Sequence, residues 1–299
     1  MGKNVFVFSG QGSQYPGMGK SMYDNSPAAR AVFDMAERVR PGTIKQCFEG
    51  TSEELALTIN TQPCVFAADL AAAAAVAEKG IKPDYAAGFS LGEIAAIAFS
   101  GMLSYEEAFK LVCKRAEYMD EAANSDKGAM AAVLKLTPEK VEEICKDFKR
   151  AYPVNYNSPA QTVVAAAEDE IEALCARVKE EKGRAVRLAV SGAFHSPFMA
   201  AAAKKLAEYL EGVEFSQPEI PVYSNYTAQP YEGDYKALIS AQVQNPVKWQ
   251  TTVENLIAQG ADRFIEVGVG KTLTGLIKKI NADVTAVNIE NKEGLDALD

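Results

Sequence analysis

At 299 residues, 48% of them hydrophobic and 24% charged, the chain is long enough for one large globular domain or for a main domain carrying an insert. A net charge of −9 argues against nucleic acid as the main partner, since phosphate backbones are held by Lys and Arg, and any anionic ligand must find a local basic patch. The five cysteines (Cys47, Cys64, Cys113, Cys145 and Cys175) show no C-x-x-C pairing and three lie on apolar helix faces, so they read as buried reduced thiols and no metal site is suggested.

The N-terminus lacks a basic and apolar signal region, and Phe6 stands where a myristoylation signal wants Ser or Thr. No apolar run is expected to reach membrane-spanning length, so a cytoplasmic protein without membrane contact is expected. Residues 4–8 read as the first strand, leading into Ser9-Gly10-Gln11-Gly12-Ser13-Gln14. That loop is no dinucleotide fingerprint, because the third glycine of G-x-G-x-x-G would fall at Tyr15; its glycines suit exposed backbone N–H groups. Thr61-Gln62-Pro63 is expected to open an Ala-rich helix that runs to about residue 78 and stops at Gly80, with a short strand entering at 84–87.

Next comes Gly88-Phe89-Ser90-Leu91-Gly92, a Gly-x-Ser-x-Gly pentapeptide followed by Leu91, Ile94, Ala95 and Ala98 at helical spacing up to Gly101. A strand-to-helix turn of this kind strains the serine and crowds the positions two residues either side, which is why glycines are needed there. Ser90 is therefore a candidate nucleophile. The alternative is a serine that only caps the helix.

Ser104-x-x-Glu107 is a capping box, and the helix it starts carries the apolar stripe Ala108, Leu111, Val112 and Met119. Arg115 falls on the same stripe. A guanidinium turned inward must be paired, and three solutions are open: an internal Asp or Glu, snorkelling to the surface, or a carboxylate on a substrate.

Residues 126–190 break the α/β rhythm and read as an inserted module. Strand 129–134, a helix from Thr137-Pro138 with Val141, Ile144, Cys145 and Phe148, strands 154–157 and 162–166, a helix with Ile171, Leu174, Cys175 and Val178, and strand 185–190 give the order βαββαβ of a ferredoxin-like unit. His195 follows in Ser191-Gly192-Ala193-Phe194-His195-Ser196-Pro197 and is the only histidine, so any Ser-His chemistry must use it. Ser196 and Pro197 read as N-cap and first residue of a helix, which leaves His195 on a loop able to present it to a cleft, with an expected titration near pH 6.5. The α/β pattern then resumes. Strand 263–267 enters Gly268-Val269-Gly270-Lys271-Thr272, which is no phosphate loop because its first glycine would have to stand at Ile265.

Phe8–Gln14, Gln62-Pro63, Gly88–Glu93, Arg115, NYNSPAQ at 155–161, Gly192–Pro197, Asn245-Pro-Val-Lys-Trp249 and Glu266–Lys271 occur in the order and approximate spacing of the malonyl-CoA:acyl carrier protein transacylases. The chain resembles that family over essentially its full length. The resemblance implies an α/β-hydrolase-like large domain with a parallel sheet (residues 1–125 and 191–299) and a ferredoxin-like subdomain (126–190). It implies malonyl transfer from malonyl-CoA to the phosphopantetheine thiol of an acidic acyl carrier protein, by a monomer that uses no cofactor and no metal.

By position, the resemblance makes Ser90 the acylated residue, His195 its base and acid, and Gln242 the residue whose carbonyl orients the histidine. It assigns the oxyanion hole to the backbone N–H groups of Gln11 and Leu91, the malonyl carboxylate clamp to Arg115, and pocket positions to Gln62 and Asn157. Phe194 resembles the malonyl-selective form of the family, where bulk discourages a branched extender unit. Three positions depart from the family pattern: Phe89 for His, Ser9 for Pro and Val269 for Pro. Phe89 removes a polar group beside the nucleophile without deleting Ser90 or His195. For carrier docking, Lys182, Arg184 and Arg187 are the densest basic candidates. Two other readings share part of this pattern: a trans-acting acyltransferase of a polyketide synthase, and a serine thioesterase or carboxylesterase. The latter normally has an acid between Ser and His in chain order and no matching buried Arg. A third, non-enzymatic reading is a carrier-binding relic disabled by Phe89.

Overall fold

A computed structural model describes residues 2–298. The chain opens with β1 (Lys3–Phe8), four short to medium helices, α1 (Lys20–Asn25), α2 (Pro27–Val39), α3 (Thr43–Glu49) and α4 (Ser52–Ala56), and the long α5 (Thr58–Glu78). The elbow lies between β2 (Tyr85–Gly88) and α6 (Leu91–Phe99), and α7 (Tyr105–Ser125) follows. Then come β3 (Gly128–Leu134), α8 (Pro138–Cys145), β4 (Ala151–Ser158), β5 (Gln161–Ala167), α9 (Ile171–Glu180) and β6 (Arg184–Arg187). The chain closes with α10 (Ala200–Leu210), β7 (Val222–Tyr223), α11 (Tyr235–Gln242), α12 (Trp249–Ala258), β8 (Ala261–Val267), α13 (Thr272–Ile280), β9 (Thr285–Ile289) and α14 (Lys292–Asp296).

Two sheets organise these elements. The first is parallel, in the order β7-β2-β1-β8-β9. Its central strand β1 is apolar on both faces, as a strand covered by helices on two sides must be: Phe6 and Phe8 join one core, Val5 and Val7 the other. The second sheet is antiparallel, in the order β4-β5-β3-β6. Alternation along β3 puts Ala129, Ala131 and Val133 against α8 and α9 and turns Met130 and Ala132 toward the parallel-sheet domain.

Several boundaries differ from the sequence reading. Helix α5 begins one turn before Thr61, at Thr58, and contains Pro63 in its interior. The Thr61 hydroxyl donates to the Leu57 carbonyl at 3.0 Å, and the helix passes the proline without ending. By length and composition α5 could cross a membrane, contrary to the expectation that no run would; it is instead the core helix of the large domain, with 83% of its apolar window buried. Strand β6 stops at Arg187, and Leu188 continues for one hydrogen bond to Met130 outside the regular ladder. The five cysteines are free thiols, four of them buried, and no group of three metal-ligating side chains occurs among the described residues.

Candidate active site

Gly88 and Gly92 are where the elbow needs them. A Cβ on Gly88 would lie 1.9 Å from the Gly92 carbonyl carbon, and one on Gly92 would lie 2.3 Å from the Phe8 carbonyl oxygen. Between them Ser90 is held at φ 55°, ψ −108°, a conformation that a side-chain-bearing residue adopts only under tertiary constraint. Ser90 occupies the N-cap of α6 but its side chain makes no capping bond. Its hydroxyl faces His195 instead, at 2.7 Å from Nε2.

His195 stands on the loop before the short 3-10 turn Pro197–Met199, at φ 59°, with its backbone N–H donating to Val243. Its Nδ1 lies 2.9 Å from the backbone carbonyl oxygen of Gln242. A carbonyl only accepts, so Nδ1 carries the proton and the Nε2 lone pair faces the Ser90 hydroxyl. Burial first, and the Arg115 charge second, lower the His195 pKa to about 4, so the ring is neutral at physiological pH. The expected value near 6.5 is thereby corrected, because the sequence could not show that the ring is desolvated beside a cation.

Arg115 projects from α7 into the same space and is 1% exposed. Its Nη1 donates to Gln62 Oε1 at 2.6 Å, and its Nη2 to the Ser90 hydroxyl at 3.1 Å and to Gln242 Oε1 at 2.9 Å. Its Nε is buried without a partner. No carboxylate lies within 4.0 Å of it among the described residues, which rules out both a direct internal ion pair and snorkelling. Burial lowers its pKa to about 10, so it keeps its charge at neutral pH.

The structure thus brings Ser90, His195, Arg115, Gln62 and Gln242 together. Gln242 serves twice: its carbonyl meets His195, while its side-chain Nε2 donates to the Ser90 carbonyl at 2.7 Å and to Glu93 Oε2 at 3.1 Å. Leu91 opens α6 directly after Ser90 and Gln11 lies on the loop after β1, and neither backbone N–H donates to a protein acceptor among the described residues. Gln11 and Asn157 line a cavity of about 180 Å³ with Gly10, Phe89, Asn155 and Leu276. The side-chain oxygens of Asn155 and Asn157 are buried there without partners. Phe194 is buried in the main core next to His195 and is not among the residues lining this cavity. A larger cavity of about 470 Å³, between α2, α5, α7 and α10, contains none of these residues.

Two residues of the site escaped the sequence reading. Asn225, on the loop after β7, accepts from the Ser90 N–H at 2.7 Å and donates to the Gly88 carbonyl at 2.6 Å, so it holds the elbow from both sides. Nothing periodic marks it in the sequence. Glu93, one turn beyond Ser90, accepts from the Asn225 N–H at 2.8 Å and from the Tyr231 hydroxyl. Burial raises its pKa to about 7. A charge on the otherwise apolar face of α6 was the available signal for Glu93, the same kind that singled out Arg115.

The three departures from the family pattern are also accommodated. The Phe89 ring packs against Trp249, centroids 5.7 Å apart. Ser9 and Val269 share one partner: the Ser9 hydroxyl donates to both Asp69 carboxyl oxygens at 3.0 and 3.1 Å, and the Val269 N–H donates to Oδ1 at 2.9 Å. Proline at either position could not make that bond.

Known proteins resemble this chain over nearly its whole length. The acyl transferase domain family matches residues 5–290. A malonyl CoA-acyl carrier protein transacylase of Bacillus subtilis is 37% identical, over 99% of this chain and 96% of its own length. The chain belongs to the malonyl CoA-acyl carrier protein transacylases. Among solved structures, the transacylase of Clostridium perfringens superposes with a TM-score of 0.94 at 36% identity, covering 98% of this chain and 95% of that one. A malonyl-transacylase solved in complex with a type II polyketide synthase acyl-carrier protein gives 0.95 at 34% identity, covering 98% of each chain. Like the rest of its family, the chain is an acyltransferase enzyme.

Proposed function

We propose that this acyltransferase moves the malonyl group from malonyl-CoA to the phosphopantetheine thiol of an acidic acyl carrier protein, supplying extender units for fatty acid synthesis. The observation that carries the reading is the buried Arg115, charged, beside Ser90 and without a carboxylate in direct contact among the described residues, the nearest acid, Glu93, acting on it only at longer range. An incoming acyl carboxylate supplies a directly bonded counter-charge and an acceptor for its free Nε–H.

The steps follow from the geometry. The Ser90 hydroxyl gives its proton to His195 Nε2 as its oxygen attacks the thioester carbonyl carbon. The carbonyl oxygen becomes an oxyanion held by the Gln11 and Leu91 N–H groups, each donor worth on the order of 3 kcal/mol. Collapse breaks the carbon–sulfur bond, and His195 returns the proton to the departing coenzyme A sulfur. The carrier thiol then reverses the sequence, with His195 taking the thiol proton and Ser90 leaving as the alcohol. Gln242 keeps the imidazole in the required tautomer throughout.

Asn155 and Asn157 offer unpartnered side-chain oxygens to the amide N–H groups of the pantetheine arm along the smaller cavity. The same reading divides the chain into an α/β-hydrolase-like catalytic domain (1–125 and 191–299) and a ferredoxin-like subdomain (126–190). The parallel five-stranded sheet supports the first, and the β4-β5-β3-β6 order of an antiparallel βαββαβ unit supports the second. The free thiols support a cytoplasmic setting. Incubation with malonyl-CoA alone tests the function: coenzyme A is released and tandem mass spectrometry finds a malonyl group on the Ser90 peptide. The same adduct in Ser90→Ala, or its appearance elsewhere, overturns the assignment.

A further inference from the structure

Glu93 is fully buried, has no cation within 4.0 Å among the described residues, and is not needed to transfer a proton. What it does have is three donors. Its Oε1 takes the Tyr231 hydroxyl, while its Oε2 takes both the Asn225 N–H at 2.8 Å and the Gln242 Nε2 at 3.1 Å.

The two ends of the Gln242 amide are nearly the same size and differ only in whether they donate or accept. Nε2 faces three acceptors, the Ser90 carbonyl, Glu93 Oε2 and, at 3.5 Å, Asn225 Oδ1, and this leaves Oε1 facing Arg115 Nη2. Were the amide reversed, an NH₂ would meet a guanidinium and Arg115 would lose its acceptor. Asn225, anchored on the same Oε2, holds the Ser90 N–H. One carboxyl oxygen therefore reaches both the nucleophile and the guanidinium through a single intervening residue.

We propose that Glu93 is a positioning residue that fixes the Gln242 amide and through it the presentation of Arg115, and so sets the preference for acyl groups bearing a carboxylate. The inference rests on the malonyl-transfer reading. It makes Glu93 a determinant of selectivity, although Glu93 touches no substrate.

The hydrogen-bond directions allow a clean test. In Glu93→Gln the amide oxygen can take the place of Oε2 and accept from Asn225 and Gln242, and the NH₂ can take the place of Oε1, where the Tyr231 hydroxyl rotates to accept from it. Glu93→Leu removes the acceptor altogether, and Glu93→Asp withdraws it by one methylene while keeping the charge. With kcat/KM measured for malonyl-CoA and acetyl-CoA on folded protein, the malonyl-to-acetyl ratio should fall at least about tenfold in Glu93→Leu and Glu93→Asp and stay within about threefold of wild type in Glu93→Gln. Glu93→Asp decides the matter should Glu93→Leu not fold.

Equal losses with both thioesters in the Asp or Leu variant, or no loss in either, overturn the proposal. A Gln variant that loses the preference as fully as the Asp variant overturns the hydrogen-bond account. A wild-type protein that does not favour malonyl-CoA overturns the parent reading, and this one with it; a wild type that does, with an Asp or Leu variant that keeps the ratio, overturns this one alone.

Discussion

Arg115 and Ser90 are in direct contact: the guanidinium Nη2 donates to the nucleophile's hydroxyl at 3.1 Å while His195 Nε2 meets the same oxygen at 2.7 Å. Under the proposed mechanism, the cation that meets the acyl carboxylate also touches the attacking oxygen. Specificity and chemistry share one side chain, so changes at Arg115 should be read in both.

Arg115→Ala should remove the buried cation beside Ser90 that would pair with a malonyl carboxylate, leaving that charge desolvated. The expected cost in kcat/KM for malonyl-CoA is about 3 kcal/mol, or roughly a hundredfold, with a much smaller loss for acetyl-CoA. Arg115→Lys should rescue poorly, since an ammonium cannot present a planar fork to Gln62, Gln242 and a carboxylate together. Steady-state kinetics with both thioesters decide it, and an unchanged ratio would reject the clamp.

His195 should not produce an acid limb near pH 6.5 in the free enzyme. The limb in kcat/KM should lie near pH 4 to 5 for both thioesters, because the ring is desolvated and faces Arg115. Pairing of Arg115 by a bound carboxylate weakens that second cause. The limb in kcat should therefore sit higher with malonyl-CoA than with acetyl-CoA. Identical limbs with the two substrates would contradict the electrostatic coupling of Arg115 to His195.

Stability against pH should carry two opposing slopes. The His195 pKa falls from 6.5 to about 4 on folding, so as pH drops through that window the unfolded chain binds a proton that the folded one does not, and stability is lost. The Glu93 pKa rises from 4.5 to about 7, so as pH climbs through that window the unfolded chain gives up a proton that the folded one keeps, and stability is again lost. Each effect is about 3 kcal/mol, and they offset each other between pH 4.5 and 6.5. Glu93→Gln removes one slope, so chemical denaturation from pH 4.5 to 6.5 should show stability rising with pH in this variant relative to wild type.

Asp69 should couple energetically to Val269. Burial pushes its carboxyl well above the usual range, and its hydrogen bonds to Ser9 and Val269 tie the loop bearing Gln11 to the turn after β8. Asp69→Ala strands a buried hydroxyl and a buried N–H, at an expected cost of about 2 kcal/mol. Val269→Pro removes that N–H, so it should cost less in Asp69→Ala than in the wild type; a double-mutant cycle in urea measures the difference. Additive effects would mean that the bond contributes nothing.

Carrier docking should depend on Lys182 and Arg184 more than on Arg187, whose guanidinium is already engaged by Glu168 and Glu172. Reversing both charges should slow transfer to the acidic carrier in a salt-sensitive way and spare acylation by malonyl-CoA. Equal slowing of both half-reactions would place the docking surface elsewhere.

Local signals in the sequence determined a good deal. One histidine, one strand-to-helix serine turn and one arginine on an apolar stripe were enough to nominate His195, Ser90 and Arg115, because a single imidazole has no competitor and helical periodicity fixes which way a side chain faces. The same periodicities placed most strands and helices α5 to α10 to within a few residues, and left α1–α4 and α11–α14 unread. Elements decided by partners were not legible. Pro63 inside the buried α5, and the hold of Asn225 and Glu93 on the elbow, arise from burial that no window shows or from contacts between segments more than a hundred residues apart. Only the tertiary structure could split Gln242 into a carbonyl for His195 and an amide for Arg115, Ser90 and Glu93, since hydrogen bonds depend on direction as well as residue type. The depressed pKa of His195 belongs to the same category: a titration is set by the water and charge around a group, and the fold alone determines both.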